Sequence, residues 1–377
     1  VRLIKDQRAL SFDYVPPELP HREEQLNALR ALFLPLLEGG AQNAILQGRV
    51  GTGKTASARL FAEELRKKMA ERRRNLIYVH VNCRARSSSH AVLSQIVRSF
   101  DDRFPGRGFS DDEMLHTIDG KLKGSHMLLI LDELDYLLQR SSSSLIYKLT
   151  RFSEYTGREQ DISIIGISQR DVLFLMDEAS RSTFKRSNII RYSPYRVEEL
   201  EDIIRQRVKL AFYEGTVSDD AVHLIAVHSA KEGDARQAIE LLEKSGLIAE
   251  SKRDDKVRAE HVRLALSEIG TPIDENVLDN LEKHEIMALL GVLRALRKKG
   301  TCSTGEAERE YRAVCEEYGE KWRAHTQFWK YLKRLEMDGL IGSEIVSEGG
   351  RTRKIFTELP VSETIEMLEK RIGHEGK

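Results

Sequence analysis

At 377 residues, 40% of them apolar, the chain is long enough for two or three packed domains and apolar enough for soluble cores. Lys+Arg and Asp+Glu both number 60, so bulk charge excludes no class of partner and only its distribution informs. Cys83, Cys302 and Cys315 stand far apart without a C-x-x-C pair, which argues against a disulfide framework or zinc site and for a reducing compartment. No apolar run reaches membrane-spanning length and Val1 opens no signal-peptide pattern; an opening without Met suggests a trimmed chain. A soluble, cytoplasmic protein with no membrane partner is expected.

Residues 1 to 22 hold Tyr14-Val15-Pro16-Pro17-Glu18-Leu19-Pro20, extended and turn-like because proline neither continues a helix nor donates to a ladder. Arg22 to Leu37 has helical apolar spacing at Leu26, Leu29, Leu32, Phe33 and Leu36. The short strand Ala44-Ile45-Leu46 then leads into Gly48-Arg49-Val50-Gly51-Thr52-Gly53-Lys54-Thr55 and a helix to about Met69. This is G-x-x-x-x-G-K-[ST] in a strand, turn and helix context. Gly48, Gly51 and Gly53, with Val50 and Thr52 between them, let backbone N–H groups crowd around a triphosphate, toward which the helix turns its positive end. Lys54 is expected to reach the β and γ oxygens and Thr55 to hold Mg2+.

Arg72-Arg73-Arg74 closes that helix as a cationic last turn, and Leu76 to Val81 alternates as a strand ending at Asn82-Cys83. The stretch before the next strand is longer than one crossover helix requires. Ala91 to Phe100 has helical spacing, and Asp101 to Phe109 is a turn-rich insertion with Arg84, Arg86, Arg98, Arg103 and Arg107 around it; it reads either as a solvated loop or as a device that touches phosphates. Met127-Leu128-Leu129-Ile130-Leu131-Asp132-Glu133 reads as a buried parallel strand ending in two carboxylates. Asp132 is placed to bind magnesium through water, and Glu133 to orient and deprotonate an attacking water. Loop and carboxylates together imply an ATP or GTP site. Residues 136 to 157 form a further helix, and Ile162 to Ile167 a strand ending in Ser168-Gln169, where Gln169, with Ser168, is the candidate sensor of the γ-phosphate. Ile189-Ile190-Arg191-Tyr192 completes an alternating βα pattern, so residues 1 to 193 are expected to form an α/β base with a parallel sheet between helices.

Past Pro194-Tyr195 the strands stop, and Val197 to Leu210, Asp219 to His228, Asp234 to Glu250 and Glu260 to Ile269 read as four helices, a lid over residues 194 to 272. Gly233-Asp234-Ala235-Arg236 opens the third; a cation is slightly misplaced at a helix start, so Arg236 is a candidate to reach the γ-phosphate. Gly270-Thr271-Pro272 breaks the pattern before a third block, residues 273 to 377. Helices at Leu281 to Arg297, Thr304 to Tyr318 and Thr326 to Asp338 precede a hairpin turning at Gly349-Gly350, the order of a winged-helix module. Residues 277 to 377 hold 18 Lys+Arg against 18 Asp+Glu and are neutral overall, but the charge is sorted. Phe328, Leu332 and Leu335 make an inward stripe, leaving Gln327, Lys330, Lys333 and Arg334 for base edges and phosphates of a major groove, while Arg351, Arg353 and Lys354 at the hairpin suit a minor groove or backbone. Helix and wing basic together point to duplex DNA. Winged helices also dock proteins, so an assembly or signalling ATPase, or a scaffold with degenerate catalysis, stays open.

Gly-Arg-Val-Gly-Thr-Gly-Lys-Thr, Leu-Asp-Glu-Leu-Asp at 131 to 135, Gly-Asp-Ala-Arg at 233 to 236, Val-Asn-Cys at 81 to 83 and Leu-Pro-His-Arg-Glu at 19 to 23 resemble the AAA+ replication initiators of archaea, relatives of the eukaryotic origin-recognition subunits and cell-division-cycle loader. The resemblance covers nearly the whole chain. It implies an AAA+ P-loop sheet with a helical lid and a C-terminal winged helix, which binds double-stranded origin DNA beside the nucleoid, carries ATP or ADP tightly, hydrolyses slowly and helps to place the replicative minichromosome-maintenance helicase, with paralogous initiators as further partners. It also implies that Val15, Pro16 and Tyr195 lie near the adenine, and that the insertion with Arg103 and Arg107 touches DNA. The chain departs from the family in two places. Gln169 stands where the family usually has Asn, and Asp177-Glu178-Ala179 where it has Asp-Pro-Arg, with Arg181 two positions on; the second departure implies impaired hydrolysis in trans and a nucleotide-gated DNA binder.

Overall fold

Both faces of the strand Ser125–Asp132 are apolar in sequence because both are covered in the fold. It belongs to a five-stranded parallel sheet of β1 (Asn43–Gly48), β2 (Asn75–Asn82), β3 (Ser125–Asp132), β4 (Ile162–Ser168) and β5 (Ile189–Tyr192), in the order β2-β3-β4-β1-β5. The structure, a computed structural model, describes residues 2–140, 144–156, 162–184, 188–269, 278, 280–297, 300–346 and 352–375. The chain divides into two compact units, one of residues 12–203 and 229–237 and the other of residues 1–11, 204–228 and 238–377.

In the first unit the period of two along each strand sorts the side chains into two cores. Met127, Leu129 and Leu131 join Val79, Val81, Ile162 and Ile164 on one face, where α3 (Ser89–Phe100) and α4 (Asp111–Leu122) add Val92, Ile96, Met114 and Ile118. Leu128 and Ile130 join Ala44, Leu46, Ile165 and Ile167 on the other, under α1 (Glu23–Leu32) and α2 (Lys54–Glu71), which add Leu26, Leu29 and Phe61. Register sets Gly48 beside Tyr192, Gln47 beside Ser168 and Asn82 beside Asp132. The carboxyl ends of the strands therefore make one edge, where open α/β sheets bind ligands.

Several boundaries differ from those read in the sequence. The first helix stops at Leu32 rather than Leu37, because Pro35 has no N–H to continue it and starts a 3-10 turn, Leu34–Glu38. The helix expected over 136 to 157 is described as three pieces, α5 (Leu134–Arg140), α6 (Ser144–Thr150) and α7 (Phe152–Thr156). Helix α4, not anticipated, starts at a capping box in which Ser110 and Glu113 satisfy each other's backbone N–H groups. A short α8 (Glu178–Thr183) precedes β5.

The second unit holds most of the four expected helices, α9 (Val197–Ala211), α10 (Asp219–Ala230), α11 (Ala235–Ser251) and α12 (Ala259–Ile269). The first residues of the chain pack here too. Leu3 and Ile4 donate their N–H groups to Glu250 Oε1 at 2.7 and 2.9 Å, and Arg207 Nη1 donates to the Ala9 carbonyl at 2.8 Å. The C-terminal module runs α13 (Lys283–Leu296), β6 (Cys302–Ser303), α14 (Thr304–Glu317), α15 (His325–Met337), β7 (Gly342–Val346), β8 (Thr352–Phe356) and α16 (Val361–Glu375). Its antiparallel sheet has the order β6-β8-β7, so the expected hairpin gains a third strand. Leu289, Leu293, Tyr311, Phe328, Leu335 and Leu368 fill one core, the last supplied by α16. Arg263 of α12 reaches Glu344 of β7 at 2.6 Å and lies over the Phe356 ring, tying lid helix to wing. The three cysteines are buried free thiols, and among the described residues no helix is long and apolar enough to cross a membrane. The Gly270-Thr271-Pro272 break, the Gly349-Gly350 turn and Arg351 lie outside the described residues.

Candidate functional site

The glycine loop turns between β1 and α2 with Gly51 and Gly53 at φ +70° and +87°. A Cβ on Gly51 would collide with the Asp234 carboxylate, and one on Gly48 with the Tyr192 carbonyl, so both positions need glycine for space, and Gly51 for its conformation as well. Lys54, 7% exposed, folds back over the loop: Nζ donates to the Gly48 carbonyl at 2.7 Å, to the Arg49 carbonyl, and to Thr52 Oγ1 at 3.3 Å. Burial pushes its ammonium down to about 8, with nearby Asp132 opposing the shift and Arg236 reinforcing it. A desolvated cation whose described partners are neutral loop oxygens is suited to an anion.

Beneath the loop lies Arg22, 4% exposed. Its Nε donates to the Thr52 carbonyl at 2.8 Å, Nη1 to the His21 carbonyl at 2.7 Å and Nη2 to the Ser193 carbonyl at 2.9 Å, and its guanidinium stacks 3.7 Å from the Tyr195 ring centre. One arginine thus joins the start of α1, the loop and the segment after β5. Tyr195 is buried with its hydroxyl against Gly53. Pro16 is buried and Val15 half-buried; just before them Asp13 pairs with Arg59 of α2 at 3.4 Å, which holds this segment to the helix that the loop opens.

The carboxylates stand where β3 ends. Thr55 Oγ1 donates to Asp132 Oδ2 at 2.8 Å, His80 Nε2 lies 3.2 Å from the same oxygen, and the Glu133 N–H donates to Oδ1 at 3.0 Å. Burial works to raise the Asp132 carboxyl, but the hydrogen bonds from His80 and Thr55 outweigh it and hold the group below the usual carboxylate range. Glu133 sits at φ +55°, a left-handed conformation that non-glycine residues rarely adopt. At the end of β4, Ser168 Oγ donates to buried Asp135 at 3.2 Å and Gln169 is exposed on the same edge. The hydroxyl and carboxylate of Thr55 and Asp132 are the hard oxygen donors that Mg2+ takes, so loop and pair fit a magnesium nucleotide.

The segment 229–237, the turn between α10 and α11 with its flanking residues, closes one side. Ala235 N–H donates to the Gly51 carbonyl at 3.1 Å, Tyr195 N–H to the Gly233 carbonyl at 3.2 Å, and Arg49 pairs with Glu232. Asp234 Oδ1 accepts from Arg236 N–H at 2.7 Å, so the acid caps the helix that the arginine opens. Arg236 is exposed, within electrostatic reach of both Lys54 and Asp132. Asp177, at the position of the expected Asp-Pro-Arg, is likewise a helix cap: it accepts from Ser180 N–H at 2.6 Å, while Arg181 Nη2 donates to the Met176 carbonyl at 3.0 Å. Arg181, Arg191, Asp171 and the exposed Phe174 border a cavity of about 220 Å³.

The arginines expected at a DNA face divide. Arg84 lies over Tyr136, Arg86 reaches Gln95 Oε1, and Arg98 holds the Phe104 and Pro105 carbonyls, so these three have partners within the fold. Phe104, 9% exposed, anchors the insertion and leaves Arg103 and Arg107 exposed. On α15, Phe328, Leu332 and Leu335 are buried; Lys330, Lys333 and Arg334 are exposed and Gln327 half-exposed, as expected. Arg334 pairs with Asp338 at 2.9 Å. Arg353 departs from the expectation of a fully outward wing cation: it donates to Ser343 Oγ at 2.8 Å and Glu336 Oε2 at 2.6 Å and lies over Trp329, because β8 carries it back over the end of α15. Lys354 is half-buried.

Three residues of the site were not anticipated. Arg22 had a signal, since it lies in the Leu-Pro-His-Arg-Glu stretch, but its bonds span 30 and 171 residues. His80 was hidden in an alternating strand, 52 residues from its carboxylate. Asp234 stood beside a candidate without being one.

Comparison with known proteins covers the chain end to end. The family described as "AAA domain" matches residues 37–176, "Cdc6 AAA+ ATPase-type lid domain" residues 201–267, and "CDC6, C terminal winged helix domain" residues 276–367. The chain is 33% identical to ORC1-type DNA replication protein 1 of Archaeoglobus fulgidus, over 94% of this chain and 88% of that one. It is 33% identical to ORC1-type DNA replication protein 2 of Saccharolobus solfataricus, over 97% and 93%. Among solved structures, Cdc6p from Pyrobaculum aerophilum aligns over 100% of both chains with TM-score 0.69 and 30% identity. The Aeropyrum pernix ORC1 protein in complex with DNA aligns over 97% of both with TM-score 0.65 and 29% identity. The Aeropyrum pernix ORC2 protein, in ADPNP-ADP complexes, aligns over 99% of both with TM-score 0.65 and 26% identity.

Proposed function

We propose a function from one premise: this chain belongs to the family of ORC1-type DNA replication proteins. It acts as an ATP-dependent origin-recognition and initiation protein, binding duplex DNA through its winged helix and assisting placement of the replicative helicase. The observation that carries this reading is the outer face of α15, where Lys330, Lys333 and Arg334 are exposed over a buried apolar stripe, in a chain that also builds a phosphate loop. Arg103 and Arg107 on the insertion are exposed cations that suit DNA phosphates as well, and Lys354, half-buried, belongs to the wing strand β8.

In the nucleotide site, Gly48 to Gly53 offer backbone N–H groups to ATP or ADP, Lys54 neutralises β and γ oxygens, and Thr55 with Asp132 holds Mg2+. Magnesium held there would supply positive charge against the developing negative charge on the phosphates. Glu133 takes the proton of the attacking water, Gln169 and Arg236 read the γ-phosphate, and Val15, Pro16 and Tyr195 border the base. Turnover is weak: Asp177 is engaged as a helix cap and Arg181 is tied to its own Met176 carbonyl, which supports a chain that does little to complete a neighbour's site.

A second reading, a winged helix that docks protein, draws support from Arg334 and Arg353 being paired with Asp338 and Glu336 of the same chain. Salt titration of binding to mixed-sequence duplex separates the two. Initiation predicts measurable affinity that falls steeply with salt and, in footprints, preferential protection of origin DNA; no binding at low salt would favour protein docking.

A further inference from the structure

One hydrogen-bonded chain in the first unit reaches past the motif residues. Arg59 of α2 lies with Nη2 3.2 Å from His80 Nδ1, and His80 Nε2 lies 3.2 Å from Asp132 Oδ2. A guanidinium has only N–H groups to offer, so Nδ1 must accept. The proton of the neutral imidazole is then on Nε2, where it donates to the carboxylate. Arg59 therefore selects the tautomer, and Asp13 holds Arg59 from its solvent side at 3.4 Å. Asp132 Oδ1 is held by the Glu133 N–H, and Oδ2 by Thr55 and His80. Thr55 is itself a metal ligand in the reading above, which leaves His80 as the side-chain partner of Asp132 that metal loading does not claim. Its side chain is 20% exposed and that of Asp132 10%, so bulk water competes little for the bond.

We propose that His80, oriented by Arg59, is a positioning residue that aims the Asp132 carboxylate at the water through which it would hold Mg2+. The inference rests on the magnesium-nucleotide reading of this site. Outer groups around a metal site fix its geometry, and losing one typically weakens metal binding about 10- to 100-fold.

The test titrates Mg2+ into the full chain and follows fluorescently labelled ADP, with a magnesium-free baseline in EDTA. In the parent, magnesium tightens ADP binding, and Asp132→Asn removes that effect. His80→Ala raises the Mg2+ midpoint by about 10-fold or more while leaving the EDTA affinity unchanged. His80→Gln, whose amide N–H replaces Nε2–H, returns the midpoint to within about threefold of the parent, and Arg59→Met, which frees the tautomer, gives a shift in between. An unchanged midpoint in His80→Ala overturns the proposal, as does His80→Gln as impaired as His80→Ala, since packing alone would then explain both. Should His80→Ala melt too early to assay, Arg59→Met decides: a raised midpoint supports the relay and an unchanged one overturns it. A parent whose ADP binding ignores magnesium sinks the site reading and the relay together. A parent that responds, with the response lost in Asp132→Asn and kept in His80→Ala, removes the relay alone.

Discussion

The phosphate loop and the outer face of α15 are both cationic, yet they hold their charge in opposite ways. Lys54 is 7% exposed, clasped by loop oxygens and shifted by desolvation, whereas Lys330, Lys333 and Arg334 stand in water. A buried cation meets a phosphate at low effective dielectric, so its bond is strong and little screened. A solvated row binds a polyanion by releasing counterions, and is weak per residue and sensitive to salt. The difference teaches that net charge, zero here, says nothing about either device.

The sharpest way to break this contrast is Lys54→Ala. Removing one partner of a buried charge pair costs about 2 to 5 kcal/mol, so ADP affinity should fall by about 30-fold or more by calorimetry, with low-salt duplex binding retained. Unchanged ADP affinity would refute the buried half. Smaller is the effect of Lys330→Gln with Arg334→Gln: the slope of log affinity against log salt should shrink by about 0.9 for each phosphate no longer neutralised, with nucleotide affinity untouched. If Arg334 reads a base, replacing it alone costs about 1 to 3 kcal/mol and relaxes sequence preference in a binding selection.

The smallest predicted effect concerns how α15 is held. Burial would raise the carboxyl of Glu308 on α14, but hydrogen bonds from His325, at the start of α15, and from Arg312 outweigh it and hold the group below its ordinary 4.5. A carboxyl lowered in the folded state contributes stability that is fully present above the unfolded value and is lost as pH falls through the folded one. Thermal melts of the parent should therefore decline on acidification below 4.5 and those of Glu308→Gln should decline less. Parallel curves for the two would mean that the Glu308–His325 pair does not hold the helix.

Much of the architecture was legible in the order of residues alone. The strand, loop and helix around Lys54, the buried run ending in Asp132 and the three helices before the wing all announce themselves through spacing within one element. Helix α4 was readable from Ser110 and Glu113, yet it was hidden behind a turn-rich stretch. The two-residue strand β6 has no period to detect, and only pairing of Cys302 with Ile355 creates it.

What the sequence determined by itself is what depends on neighbours a few residues apart: the glycine turn, the alternation that buries β3 on both faces and the stripe that turns Lys330 outward. What only the tertiary structure decided is which distant groups meet. Arg22 beneath the loop, His80 on Asp132 and Glu336 on Arg353 join residues 30, 52 and 17 positions apart. The physical reason is that periodicity and turn chemistry act through local backbone geometry, whereas a hydrogen bond between remote side chains exists only after sheet register and helix packing have brought its two atoms within about 3 Å.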